Sequence, residues 1–338
     1  GAASLTNVTF ERNRGSNLGG GMTVAGTWPV TLDRVIFEEN YGPNSGGGLA
    51  SWSGNVTLNN VVFFGNSAHQ GDAINIGNSG GGWTLNNVLI TGNGVGYAIA
   101  TSSPMTLTNV TIANQGGAIQ SWHPGVVIRN SIIWDHICAE GHNGCAAPTV
   151  SHSIVWGGWA GTGNLNVDPL LAPLGDYGGA ILSRALLPGS PAIDAGDPAT
   201  CLAADMRGLP RSFPCDVGAF ESQGFTFNNL TGAPQSITLN GAFVNPLGLT
   251  VTANDLNEPV VGGQVSFTAP SSGASATFTG NPATIGASGA ASLTVTANDI
   301  LGSYVVTATA LGVSTPAQFT LSNVEGVSTT TTLTSAPN

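Results

Sequence analysis

At 338 residues, with a net charge of −11 and only 7% charged side chains, the chain is acidic and sparsely charged, and all 7 of its basic residues are arginine. The absence of lysine excludes a Schiff-base lysine, a lysine-to-asparagine isopeptide staple and a lysine sortase acceptor. The acidity leaves no basic stripe to hold nucleic acid or an anionic membrane, and no run of about 18 apolar residues offers direct membrane insertion.

The first predicted element, LTNVTFERN at Leu5, is rewritten as LDRVIFEEN at Leu32, LNNVVFFGN at Leu58, LNNVLITGN at Leu85 and LTNVTIANQ at Leu107, then more loosely as IRNSIIWDH at Ile128 and VSHSIVWGG at Val150. Successive starts lie 27, 26, 27, 22, 21 and 22 residues apart. That interval belongs to a solenoid, whose repeats bury their apolar faces only by stacking. Apolar residues hold the first, fourth and sixth places, as in Leu32, Val35 and Phe37. Fourth and sixth share a strand face but first and fourth do not, so the backbone bends between them.

The third place supplies the bend. It is Asn7, Asn60, Asn87, Asn109 and Asn130, with Arg34 and His152 as exceptions. Asn tolerates the left-handed region and bonds neighbouring peptides, which predicts a corner with stacked asparagines. Glycine clusters at Gly19, Gly20 and Gly21, at Gly46, Gly47 and Gly48, and at Gly116 and Gly117 turn the chain again, into inward strands at Met22, Leu49 and Ile119. The expected fold is all-β, a right-handed parallel β-helix of about seven rungs over residues 1–167. A leucine-rich repeat is the rival, but glycine triplets and Val/Thr/Phe strands leave little room for helix. No secretory signal opens the sequence, and Gly1 falls in mid-pattern, so a leader or further rungs are expected before it. An open first rung exposes backbone groups that a cap or another subunit must cover.

The loop HICAEGHNGC offers His136, Cys138, His142 and Cys145. Mixed Cys/His ligands suit zinc. A Cys138–Cys145 disulfide is the competing reading, favoured by spacing unlike any familiar finger and by a Ser/Thr/Gly-rich surface of extracellular type.

VDPLLAPLGDYGG at Val167, ALLPGSPAIDAGD at Ala185, DMRGLPR at Asp205 and CDVGAFE at Cys215 follow in that order. Together with the repeats they resemble the shared region of bacterial choice-of-anchor β-helix proteins, which are similar to polymorphic outer-membrane and autotransporter passenger repeats. The resemblance covers roughly residues 1–222 and implies an exported, surface-displayed β-helix whose C-terminal end this region closes; it implies no catalytic residue. Read from its residues, the 168–224 segment is a cap: its prolines forbid continued ladders and its Asp-Gly and Gly-Gly steps make tight turns. Cys201 and Cys215 are expected to pair. Asp194, Asp197 and Asp205, with Asp168, Asp176 and Asp216, are candidate calcium ligands. The alternative is that they cap turns or pair with Arg184, Arg207 and Arg211.

From 225 to 324, short alternating strands with turn signals between them fit an immunoglobulin-like sandwich. They include SITLN at Ser236, LGLTVTAND at Leu247, GQVSFTA at Gly263, ATFTG at Ala276, ASLTVTAND at Ala291, SYVVTATA at Ser303 and AQFTLSN at Ala317. This stretch resembles the bacterial Ig-like domains of invasin-type adhesins, which implies a spacer or a binder. The 325–338 tail is Ser/Thr-rich and reads as the start of another module or as a donor strand through Thr329, Thr331 and Leu333.

Enzymatic β-helices set a rival expectation, a polysaccharide lyase or hydrolase. Such chemistry needs a base with Ca²⁺, or carboxylates gathered on one strand face. Here Glu11, Glu38, Glu39, Asp33, Asp72 and Asp135 are scattered, and Glu11 and Glu38 with Arg12 and Glu39 form at most a stacked surface pair. His69, His123, His136, His142 and His152 show no catalytic motif. Trp28, Trp52, Trp83 and Trp122 recur in the loop regions, as a glycan platform or as packing for the loop layer. Asn7, Asn55, Asn109 and Asn229 head Asn-X-Thr sites that permit glycosylation. The expected function is a non-catalytic extracellular or cell-surface protein without a cofactor, a filament subunit that self-associates end to end, with a single-chain glycan-binding adhesin as the alternative.

Overall fold

A computed structural model describes residues 2–52, 54–77, 80–138 and 144–326. The chain divides into two compact units, one of Gly1–Gly224 with Ala253–Pro259 and the other of Phe225–Thr252 with the chain from Val260 onward. Among the described residues the regular elements are all β-strands.

The first unit is a parallel β-helix. The seven repeat starts stack in register, Leu5 on Leu32, then Leu58, Leu85, Leu107, Ile128 and Val150, giving six complete turns. Sixth-place residues stack likewise, Phe10 on Phe37, Phe63, Ile90, Ile112, Ile133 and Val155. A second sheet stacks Met22, Leu49, Ile74, Ile99 and Ile119. First-, fourth- and sixth-place side chains from Leu32 to Ile112 are fully buried. Phe10, Phe37 and Phe63 form a parallel stack with centroids 5.0 and 4.7 Å apart.

Every third-place residue adopts the left-handed conformation, at φ 57° for Asn7, 52° for Arg34, 56° for Asn60, 51° for Asn87, 53° for Asn109, 48° for Asn130 and 43° for His152. The corner is therefore set by the path of the coil, and asparagine is the residue that meets it at least cost. A second left-handed corner falls at the eighth place, on Arg12, Glu39, Gly65, Gly92 and Asn114. The glycine clusters serve close approach as well as turning: a Cβ on Gly47 would lie 2.3 Å from Asp72 O.

The continuous asparagine ladder is at the ninth place, not the third. Asn13 Nδ2 donates to Asn40 Oδ1 at 3.0 Å, Asn40 Nδ2 to Asn66 Oδ1 at 2.9 Å and Asn66 Nδ2 to Asn93 Oδ1 at 2.9 Å. Gln115 Oε1 accepts from Asn93 N, and Asp135 Oδ2 from Gln115 N. Three of these amides also donate inward to a sixth-place carbonyl of the preceding coil, Asn40 to Phe10 O and Asn66 to Phe37 O at 2.8 Å and Asn93 to Phe63 O at 3.1 Å. These bonds satisfy main-chain groups that the eighth-place turn removes from the sheet.

The 168–224 segment does not seal the C-terminal end as expected. It runs along the outside of the coils. Fifth-place residues Ile36, Val62 and Leu89 point outward and pack with Ile181, Met206, Ala219 and Leu174. The end of the solenoid is instead closed within residues 156–167: Trp159 packs on the core and donates to Pro148 O, Asn164 Nδ2 donates to Val150 O, and Leu165 bridges Ile154.

The second unit is a sandwich of a four-stranded and a five-stranded sheet. The first runs in the order Phe225–Thr231, Leu247–Ala253, Ala290–Ala297, Ala276–Thr279; the second runs Gln235–Thr238, Ala317–Val324, Gly302–Thr309, Gln264–Thr268, Ala283–Thr284. Gln235–Thr238 lies parallel to Leu321–Val324. Strict alternation puts Leu293, Val295, Val306, Phe319 and Leu321 in its core.

Candidate assembly surfaces

The outer flank of the solenoid holds the densest polar chemistry. Third-place amides grip the 168–224 segment, Asn87 while also donating to Asn60 Oδ1 in its own row at 3.2 Å. Asn87 Nδ2 donates to Ala204 O at 2.9 Å, Asn109 Nδ2 to Asp216 O and Gly218 O, and Asn130 Nδ2 to Asp197 O, while Asn130 Oδ1 accepts from Asp197 N at 2.8 Å. Arg211 reaches back to Asn87 Oδ1 at 3.0 Å and pairs with Glu221 at 2.9 Å. Arg207, fully buried, pairs with Asp205 at 2.8 Å and Glu258 at 3.3 Å, its guanidinium 3.6 Å from the Phe220 ring centroid. Burial, then the neighbouring Glu221 charge, pushes the Asp216 carboxyl well up, although Asp194 N and Ser222 N donate to it. Arg207, Arg211, Asp205, Glu221 and Glu258 are each paired in this way, so the cluster holds the segment in place.

Cys138 and Cys145 form a disulfide with Cα atoms 6.1 Å apart, and Cys201 and Cys215 another at 6.2 Å. The first removes both thiolates from the zinc reading; His136 is exposed and His142 lies outside the described residues. The calcium candidates do not converge. Asp205 is bound to Arg207, Asp197 caps its own turn through Ala199 N at 3.0 Å, and Asp194 is exposed. Among the described residues no group of three or more His, Cys, Asp or Glu side chains is arranged to hold a metal.

The tryptophans separate. Trp83 is 1% exposed, in the core at the start of its strand, so it cannot belong to a surface platform; Trp28 and Trp52 are 63% and 40% exposed, and Trp122 is half-buried. Asn109 is buried with its amide engaged, which withdraws it as a glycosylation site in the folded protein, whereas Asn7, Asn55 and Asn229 are exposed. Arg12 bridges Glu11 at 2.6 Å and Glu39 at 2.7 Å on the surface. Asp72 is spent on Ala68 N and Gly96 N, and burial raises its pKa. Burial pushes the Asp135 carboxyl up to about 6.

Each unit ends in sheet edges. Among the described residues Ala3–Glu11 of the first unit pairs only with Val30–Glu38, and Met22–Val24 ends the second sheet. Leu5, Val8, Phe10 and Met22 are only partly buried. In the second unit Phe225–Thr231 is one edge of its sheet, and Gln235–Thr238 lies beside the last strand over Leu321–Val324. A bridge from Phe225 to Val313 closes one end of the seam between them. The seam is a cleft of about 820 Å³ with Phe225, Phe227, Leu230, Val313, Pro316 and Ala317 among its lining and no charged side chain. The expected donor-strand residues Thr329, Thr331 and Leu333 lie outside the described residues. No protein-family model, curated protein or solved structure matches the chain.

Proposed function

We propose that this chain is a non-catalytic, exported structural protein, the subunit of a surface fibre assembled end to end through β-strand contacts. The observation that carries the reading is the edge of the first unit, where among the described residues Ala3–Glu11 pairs only with Val30–Glu38 and is flanked by partly buried apolar side chains. Free N–H and C=O rows template further strands unless charge, proline or cover blunts them. Here no lysine is available to blunt that edge. Two disulfides fit an oxidising compartment outside the cytosol, and no helix among the described residues is long and apolar enough to cross a membrane. Strand order in the sandwich, with its five-stranded sheet edged by a strand parallel to the last strand, fits an immunoglobulin-like spacer. The likeness to choice-of-anchor β-helices in the 167–222 motifs supports surface display. Electron microscopy of the purified chain tests the reading: fibres are expected, and dispersed particles at every concentration would refute it.

The exposure of Trp28 and Trp52 in neighbouring coils favours a second reading, glycan binding by an adhesin. Glycan-array binding that disappears in Trp52→Ala would establish it.

A further inference from the structure

We propose that the turns bearing Trp28 and Trp52 form a binding platform for a neutral oligosaccharide, which rests on the adhesin reading and names the charge class of its ligand. Both turns lead from the second sheet of the solenoid back to the first. Val24, Ser51 and Ile76 stack at the start of successive turns, and Val30, Val56 and Trp83 at their end, so the two tryptophans stand on one edge in neighbouring coils. The turns themselves are stacked: a Cβ on Gly54 would lie 3.1 Å from Trp28 O, and Gly82 N donates to Asn55 Oδ1 at 2.8 Å. Coils follow one another at about 4.8 Å, close to the length of one sugar ring, so successive rings of a saccharide chain can meet successive coils.

The aromatic surface is held in place. A Cβ on Gly77 would lie 2.4 Å from Trp52 Cδ1 and 2.5 Å from its Nε1, so part of that indole is laid over the Gly77 main chain while the residue stays 40% exposed. Pro29 restricts the backbone of Trp28, which is 63% exposed. Rings fixed beforehand lose little freedom when a ligand stacks on them. Exposed apolar surface rimmed by polar groups marks a place of interaction.

The charge class follows from the residues of the turns. Residues 24–30, 51–56 and 76–83 contain no Asp, Glu, Arg or Lys. Nucleic acids and acidic glycans need cationic partners for their phosphate, sulfate or carboxylate groups, and none stands in these turns. A neutral sugar uses what is present: its C–H faces lie on indole rings, and its hydroxyls meet the hydroxyl of Thr27 and the amide of Asn55, both exposed residues.

Isothermal titration of the full chain with cellohexaose, maltohexaose and xylohexaose, and with hexagalacturonate and a heparin hexasaccharide as acidic probes, tests the proposal. Binding of at least one neutral probe is expected, and it should change less than about twofold between roughly 0.05 and 0.5 M NaCl, because there is no ion pair to screen. Trp28→Ala should weaken that binding at least tenfold without moving the Tm. Gly77→Leu, which keeps both rings but unseats one, should weaken it by a similar factor; where that variant does not fold, Trp28→Ala decides. Binding of the acidic probes alone, lost in salt, would overturn the neutral class while leaving glycan binding standing. Neutral binding unaltered in Trp28→Ala would overturn the placement on these turns, again with glycan binding intact. No response to any of the five probes would overturn the platform and the adhesin reading together.

Discussion

Replacing Asn66 by alanine should be far more damaging than the same change at Asn13, two rungs away on the same ladder. Asn66 is fully buried. Its Oδ1 accepts from both Asn40 N and Asn40 Nδ2, and its Nδ2 donates to Phe37 O and Asn93 Oδ1. Truncation leaves Asn40 N and Phe37 O without those bonds, while Asn40 Nδ2 still donates to Phe10 O and Asn93 Oδ1 still accepts from Asn66 N. At roughly 1–3 kcal/mol for each of the two buried groups left unsatisfied, the loss is about 2–6 kcal/mol. At the open end, Asn13 Nδ2 makes one bond to Asn40 Oδ1, which keeps its second donor, Asn13 N. Asn13→Ala should cost only about 0.5–1.5 kcal/mol. For a unit of this size about 2–4 °C of Tm accompanies each kcal/mol, so falls of roughly 4–24 °C and 1–6 °C are expected in thermal melts followed by circular dichroism. Where Asn66→Ala is too unstable to purify, Asn66→Ser supplies the comparison. Equal shifts for the buried and terminal members would refute the claim that the ladder carries this energy.

Asp135 ends the ladder with its pKa raised to about 6, above the unfolded value near 3.9, so the folded state holds the extra proton between those limits and gains stability as pH falls from about 7 to about 4. Asp135→Asn should raise Tm at pH 7 and leave it unchanged at pH 4; because the group is half-exposed, the gain is on the order of 1 kcal/mol, read from paired melts. Opening the Cys201–Cys215 loop, whose ends are 14 residues apart, by Cys201→Ala/Cys215→Ala should cost about 3 kcal/mol in urea titrations, and an equal effect from reductant on that variant and the parent would contradict it. Trp83→Ala should destabilise by about 3–5 kcal/mol while Trp28→Ala changes stability by less than about 0.5, a contrast that denaturant midpoints resolve. Chelation with EDTA should leave Tm unmoved, since Asp205 is held by Arg207; a drop of several degrees would restore a calcium site.

The solenoid was legible because its strands repeat in place as well as in kind. Leu32, Val35 and Phe37 announce which side chains go inward, and the third-place asparagines announce the corner, while Arg34 and His152, exceptions in sequence, take the same left-handed backbone in the structure. The second corner was hidden because Arg12 and Glu39 occupy it in the first two coils, masking Gly65, Gly92 and Asn114. The ladder itself stood in view: Asn13, Asn40, Asn66 and Asn93 close their nine-residue repeats, but place nine has no meaning until that corner is known. The flank was misplaced for another reason. Its docking signal is the apolar fifth place, Ile36, Val62, Leu89 and Ile132, on the face that a two-sided strand ordinarily shows to water. In the sandwich, Phe225–Thr231 was missed because Asn228 and Asn229 read as a turn, and Asn229 does take φ 49° within the strand. The four cysteines pair as neighbours in sequence, which spacing allowed, whereas which tryptophan faces water depends on loop paths that no local pattern encodes.

The flank segment also changes how such a column comes apart. Coils that touch only their neighbours unravel one at a time from a loose end, since each loss costs a single interface. Here Asn87, Asn109 and Asn130 belong to three successive coils yet hold one covalently looped strap, so peeling any of them means lifting all. Amide exchange should therefore be graded across the first three coils and then uniformly slow from Leu85 to Ile133, a column that frays only as far as its buckle.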